Sequence, residues 1–212
     1  MAFGQPEFAS GLKALGINVS RETLQRLETN AGLLVKWQAR INLVGPATLP
    51  DLWRRHFLDS AQLLPVLPAA GGTLVDLGSG AGFPGLVLAI MTDWRVHLVD
   101  SDQRKSAFLR QVALDCGVLD RVTIHAQRIE QVAGIAADLV TARACAPLGE
   151  LLELAEPFIG EKGTGLFLKG AQAEEELTQA RRRWTMRLDR RESISDPAGV
   201  ILIVTQLKQK GQ

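Results

Sequence analysis

The 212-residue chain has only two cysteines, Cys116 and Cys145, in unrelated contexts. That number and spacing support neither a disulfide framework nor a zinc site, so a reducing, cytoplasmic setting is expected. The three histidines, His56, His97 and His125, do not cluster along the chain. The longest apolar run, near residues 200–204, is far too short to cross a bilayer. The first residues, MAFGQPEFAS, carry no signal-peptide pattern. There is no internal repeat, low-complexity tract or heptad, so we expect a monomer with no membrane association. A P-loop of the form G-x-x-x-x-G-K-[ST] is missing, which leaves nucleotide hydrolysis without support. Net charge is +1, so the molecule as a whole is not a cationic magnet for nucleic acid.

What is present is an ordinary globular composition, 46% hydrophobic and 22% charged, enough for a core that needs no disulfides. Charge is uneven along the chain. Residues 150–180 hold seven acids and two bases, whereas residues 181–212 hold eight bases and three acids. The run Arg181, Arg182, Arg183, Arg187, Arg190 and Arg191 is a candidate for phosphate contact, and it reads equally as a solvated face beside an acidic helix.

Residues 1–70 read as a helical extension. Leu24, Leu27, Ala31, Leu34, Val35 and Ile41 follow a helical period over Arg21–Asn42, with Ser20 as N-cap. After a break at Asn42–Pro46, a second helix over about 50–64 places Leu52, His56, Ser60 and Leu63 on one stripe. From residue 71 to 212 strands alternate with helices. Strands are expected at Thr73–Leu77, Val96–Asp100, Val122–His125, Asp138–Thr141 and Gly165–Lys169, with helices near 84–92, 103–116, 128–133, 147–159 and 172–183. That alternation predicts a mostly parallel, doubly wound α/β sheet built from right-handed crossovers. Met186–Ile194 and Val200–Gln206, joined by a short turn, predict a hairpin and one antiparallel strand.

The first strand runs into LVDLGSGAGFPG, four glycines within eight residues. A loop there faces the ligand crevice of a doubly wound sheet. Gly80, Gly82 and Gly85 satisfy G-x-G-x-x-G, and Asp100, 20 residues after Gly80, is placed to hold ribose hydroxyls. Pro84 suits the start of a helix whose free N–H groups could meet a negative group. Asp76, just before the loop, favours a cationic cofactor such as S-adenosylmethionine over a pyrophosphate. An NAD-dependent oxidoreductase remains a weaker reading of the same loop, and a non-catalytic RNA-binding or assembly factor is the alternative from another class.

VDLGSGAGFPG, HLVDSDQRKSAFLR, TARACAPL and FLKG, with INLVG and HFLDS upstream, resemble the RsmG (GidB) family of bacterial 16S rRNA guanine-N7 methyltransferases. One departure is Val44, where the family often has Thr. The resemblance implies a class I methyltransferase fold and S-adenosylmethionine as cofactor. It implies 16S rRNA or the 30S particle as partner, and methylation at N7 of the guanine at position 527, in the 530 loop. It further implies that Gly78 and Phe83 lie against the cofactor, with Asp76, Gly80 and Gly82 in the same loop. Asp100 would take the ribose, and Ile129 and Glu130 would bracket the adenine. Arg143 would line the junction of cofactor and substrate. Asn42 and His56 are candidates in the RNA pocket, with Asp59 on the same helix face as His56. Lys169, Arg181, Arg182 and Arg183 are candidates for RNA contact. Guanine N7 has a free lone pair, so alignment matters more than a general base. Cys145 is expected to be a small packed core residue, and Trp184 the best tryptophan for stacking on a base.

Overall fold

The computed structural model describes residues 4–160 and 162–211. Seven strands form one sheet: β1 (Thr73–Leu77), β2 (Arg95–Val99), β3 (Val122–His125), β4 (Leu139–Arg143), β5 (Thr164–Lys169), β6 (Trp184–Glu192) and β7 (Val200–Gln209). Their order is β3-β2-β1-β4-β5-β7-β6. The first five are parallel, and β7 lies antiparallel between β5 and β6. The antiparallel strand is therefore one place in from the edge, and β6 is the edge. Strand order reverses between β1 and β4, where such sheets open a ligand crevice.

α4 (Gly85–Met91) and α5 (Gln103–Asp115) cover one face, and α6 (Leu148–Ile159) and α7 (Ala173–Ala180) the other. α4 is buried from Gly85 to Ile90, which explains its continuous apolar sequence. The crossover from β3 to β4 has no α-helix, only a 3-10 turn at Ile129–Gln131. Residues such as Val132 and Ala137 fill the space a helix would take.

The extension contributes α1 (Gln5–Ala14) and α2 (Arg21–Gln38), capped by Ser20, whose hydroxyl accepts the Thr23 N–H at 3.0 Å. α2 packs on α4 and α5. Phe8, Leu12, Leu27 and Leu34 thereby join one apolar cluster with Leu74, Leu86 and Phe108. The boundary at residue 70 divides the topology but not the core.

The expected helix over 50–64 is instead a composite. A 3-10 turn at Pro46–Asp51 leads into a π-helical turn at Trp53–Leu58 and a short α-helix, α3 (Asp59–Ala61). The predicted stripe is buried as a set: Leu52, His56, Ser60 and Leu63 are all inside. The π-helical turn adds a residue per turn, which lets Arg55, His56 and Asp59 all reach the crevice.

Candidate active site

The crevice at the strand reversal is a cleft of about 690 Å³. Its floor is the glycine loop after β1. Gly78 has φ +64°, and a Cβ there would stand 2.7 Å from Cys145 Sγ, so no other residue fits. Gly85 fails differently: its Cβ would lie 2.6 Å from both Asp76 Cβ and Leu98 Cδ2. Gly85 is therefore what lets α4 lie flat on β1 and β2.

Asp76 does not reach the cleft. It is fully buried and lies behind the cleft wall. Its carboxylate accepts the Thr141 hydroxyl at 2.7 Å and the Gly85 N–H at 3.2 Å. The anion at the α4 N-terminus is this side chain, and of the N–H groups expected to be free there Gly85's is taken by Asp76 and Leu86's by Gly82 O at 2.9 Å. Burial pushes its pKa up to about 6, against the pull of those hydrogen bonds.

Asp100 does reach the cleft. One oxygen accepts the Gly80 N–H at 2.8 Å and the other accepts the Asp102 N–H at 2.8 Å. Each retains a lone pair for a ribose hydroxyl. The cradle thus fits an adenosine-bearing donor: side-chain-free backbone at Gly78 and Gly80, a tethered diol acceptor, and no phosphate-loop lysine.

The opposite wall joins the extension to Phe83, Arg143 and the turn at residues 193–196. Phe83 packs between His56, with centroids 5.0 Å apart, and the Arg143 guanidinium, 5.1 Å from the ring centre. The Thr48 hydroxyl donates to Gly45 O at 2.7 Å, so its oxygen accepts from His56 Nε2 at 2.7 Å. His56 is then the Nε2–H tautomer, and buried Nδ1 has no protein partner. Burial, with Arg143 and Arg55 nearby, lowers its pKa to about 3, so the ring is neutral. Arg143 closes β4 and donates to Arg55 O at 3.0 Å and to Asp59 at 3.4 Å. It does not pair with Asp138, which accepts the Thr73 N–H instead. Nor does His56 pair with Asp59, although they are three apart.

The remaining candidates divide between the cleft and places outside its lining. Asn42 is exposed and outside the cleft lining, bonded to Gln38 Nε2 at 3.3 Å. Gln38 uses the same carboxamide to shape Leu43 and Val44, which do line the cleft. Ile129 and Glu130 sit on the 3-10 turn beyond β3 and do not line the cleft. Lys169 lines it, but its ammonium is committed to Ala146 O at 2.6 Å and Glu176 at 2.7 Å. Glu176 also accepts the Leu148 N–H, so this pair pins the loop 144–147, where Ala144 has φ +50°. Arg181, Arg182 and Arg183 are exposed at the far end of β6. Arg183 pairs with Glu153 at 3.4 Å and lines a small pocket with Pro147 and Glu176, which adjoin the cleft, while Arg181 and Arg182 lie outside both. Trp184 is buried and cannot stack on a base. Cys145 is half-buried, packed against the core cluster under α6 and facing Gly78 in the cleft wall.

Sequence reasoning passed over Lys105, Gln62 and Ser195. Lys105 lies in the first turn of α5, capped by Asp102. Of the lysines and arginines lining the cleft, Arg55, Arg143 and Lys169 are ion-paired, whereas Lys105 has no ion pair among the described residues. Its place in the first turn of the helix that follows Asp100 was the available signal.

The family model described as "rRNA small subunit methyltransferase G" matches residues 23–198. A ribosomal RNA small subunit methyltransferase G of Paramagnetospirillum magneticum is 56% identical over 90% of this chain and 92% of its own. That of Rhodospirillum rubrum is 53% identical over 92% and 96%. Among solved structures, the glycopeptide N-methyltransferase MtfA with sinefungin superposes with TM-score 0.60 at 11% identity, covering 71% of this chain and 94% of that one. A ribosomal protein L11 methylase from Lactobacillus delbrueckii gives TM-score 0.58 at 15% identity, over 69% and 76%. These likenesses carry the class I methyltransferase fold, and the sequence matches carry more: the chain belongs to the small-subunit ribosomal RNA methyltransferase G (GidB) family.

Proposed function

We infer that this chain transfers a methyl group from S-adenosylmethionine to 16S rRNA, at N7 of the guanine at position 527 in the 530 loop. The family match over residues 23–198, with Asp100, Phe83 and Arg143 converging on one cleft, carries this reading. When bound, S-adenosylmethionine supplies an electrophilic methyl group on a sulfonium. The residues that would hold it are Gly78 and Gly80 by their backbone, Phe83 by its ring and Asp100 by its carboxylate.

The acceptor nitrogen has no proton to lose, so the protein's task is orientation and charge balance. Arg143 can donate to the guanine O6 or a neighbouring phosphate. Its own charge is offset by Asp59, which keeps the cleft from repelling a cationic donor. Neutral His56 adds no second positive charge. Lys105, with its free ammonium, replaces Lys169 as the cleft's phosphate contact. Arg181 and Arg182 could meet only RNA that runs well beyond the target nucleotide.

No helix among the described residues is long and apolar enough to cross a membrane. We place the enzyme in the cytoplasm as a monomer acting on the rRNA, naked or within the 30S particle. The test is tritiated-methyl incorporation into undermethylated 16S rRNA and 30S particles, with N7-methylguanine mapped in the product. Tight, salt-sensitive RNA binding without incorporation would instead make the chain a non-catalytic assembly factor.

A further inference from the structure

We propose that Ser195 and Gln62 position Asp59 and, through it, aim Arg143, so that the turn closing the β6–β7 hairpin is part of the methyl-transfer apparatus. The proposal rests on the reading that Arg143 acts on the acceptor base.

Arg143 stands at the end of β4, where the strand no longer constrains it, so something else must fix its guanidinium. Arg55 O at 3.0 Å and the Phe83 ring hold it in part, and its charged partner is Asp59, with a side chain 16% exposed and 3.4 Å from Arg143 Nη1. Asp59 is itself held from the far end of the chain. Its Oδ1 accepts the Ser195 hydroxyl at 2.5 Å, across 136 residues, and the Gln62 Nε2–H at 2.9 Å. With both donors on Oδ1, Oδ2 is left facing Arg143.

The carboxamide of Gln62 cannot turn over. Its Oε1 accepts the Ile194 N–H at 2.8 Å, which commits Nε2 to Asp59 and to Ser193 Oγ at 3.1 Å. Ser195 and Gln62 are 2% and 5% exposed, so these bonds are shielded from water. Arg55 adds a second tie, to Asp196 at 2.6 Å, while its carbonyl accepts from Arg143 at 3.0 Å. One connected set of bonds therefore runs from residues 193–196 to the group at the reaction centre. None of it is needed to close the hairpin, whose turn has its own Ser193–Gly199 and Gly199–Asp196 backbone bonds.

A purely structural role and a positioning role separate in a double-mutant cycle. Ser195→Ala is expected to lower single-turnover methyl transfer about tenfold, because a small misplacement at the site is costly. Affinity for S-adenosylmethionine should stay unchanged by calorimetry. In an Arg143→Ala background the same Ser195→Ala change should cost less than about twofold, since there is no guanidinium left to aim. Gln62→Met should behave as Ser195→Ala does, and it serves if the serine variant does not fold. Additive losses, or a wild-type rate in both variants, would overturn the proposal. A wild-type chain that puts no methyl on rRNA would end the underlying reading instead.

Discussion

The two walls of the cleft are built in opposite ways. The floor and β2 side are made of backbone: the glycine loop, Asp100 tethered to the Gly80 and Asp102 N–H groups, and Asp76 sealed behind them. Contacts there join segments within about one βαβ unit, apart from the Thr141 bond and the approach of Cys145 to Gly78. The opposite wall is made of side chains from three distant parts of the chain: residues 55–62, Arg143, and Ser193–Asp196. The first wall suits a small, invariant cofactor that must be gripped by shape. The second suits an acceptor that must be aimed, and its parts can be adjusted one side chain at a time.

If that division holds, variants of the two walls should fail in different assays. The largest effect should come from Asp100→Ala, with S-adenosylmethionine affinity falling about 100-fold by calorimetry as two hydroxyl partners are lost. Arg143→Ala should match that loss in turnover, about 100-fold, with cofactor affinity within about threefold. Loss of cofactor affinity in the Arg143 variant would erase the distinction between the walls. Lys169→Gln breaks a pair in which the lysine side chain is 6% exposed, and should cost about 3 kcal/mol in a urea melt. RNA affinity of the folded variant should stay near wild type.

The walls should also differ in pH response. His56 titrates near 3 when folded and near its ordinary 6.5 when unfolded. Between those values the unfolded chain binds the extra proton, so stability falls as pH falls, by up to ~1.4 kcal/mol per unit. Asp76 does the reverse. Folded at about 6 against an ordinary 3.8, it holds the extra proton in the native state, and stability falls as pH rises through that window. Urea melts across pH should show His56→Gln flattening the acid limb and Asp76→Asn steepening it. The smallest effect concerns RNA: Lys105→Gln should reduce the salt slope for a short 530-loop hairpin by about 0.7 to 0.9. Replacing Arg181 and Arg182 should leave that slope unchanged, and an equal change would place the far end of β6 on the same RNA.

The sequence disclosed the first wall almost completely. Alternating strands and helices, the glycines after β1 and the acid ending β2 are local patterns, and local patterns follow from backbone geometry. It misjudged Asp76, because an acid before a glycine loop looks alike whether it faces a ligand or caps a buried helix. It also misjudged Lys169 and Trp184, because a free cation and a paired one have the same letter, as do an exposed indole and a buried one. The family motifs named Arg143 and His56. They did not give their partners: Asp59 meets Arg143, and Ser195 meets Asp59, only after the extension folds over the sheet, while Thr48 reaches His56 across the 3-10 and π-helical turns of the extension itself.

By itself, then, the sequence determined the doubly wound sheet, the crevice at its reversal and the backbone cradle for the donor. Each depends on the conformational needs of residues close together in the chain. Only the tertiary structure decided which charges are spent and which are free: Lys169 neutralised, Lys105 available, Arg143 aimed by Asp59. The Arg143 bonds to Arg55 and Asp59 cross more than 80 residues and leave no periodicity or spacing to read, and even Lys169 and Glu176, on neighbouring elements, meet only where the packed fold turns α7 back against the end of β5.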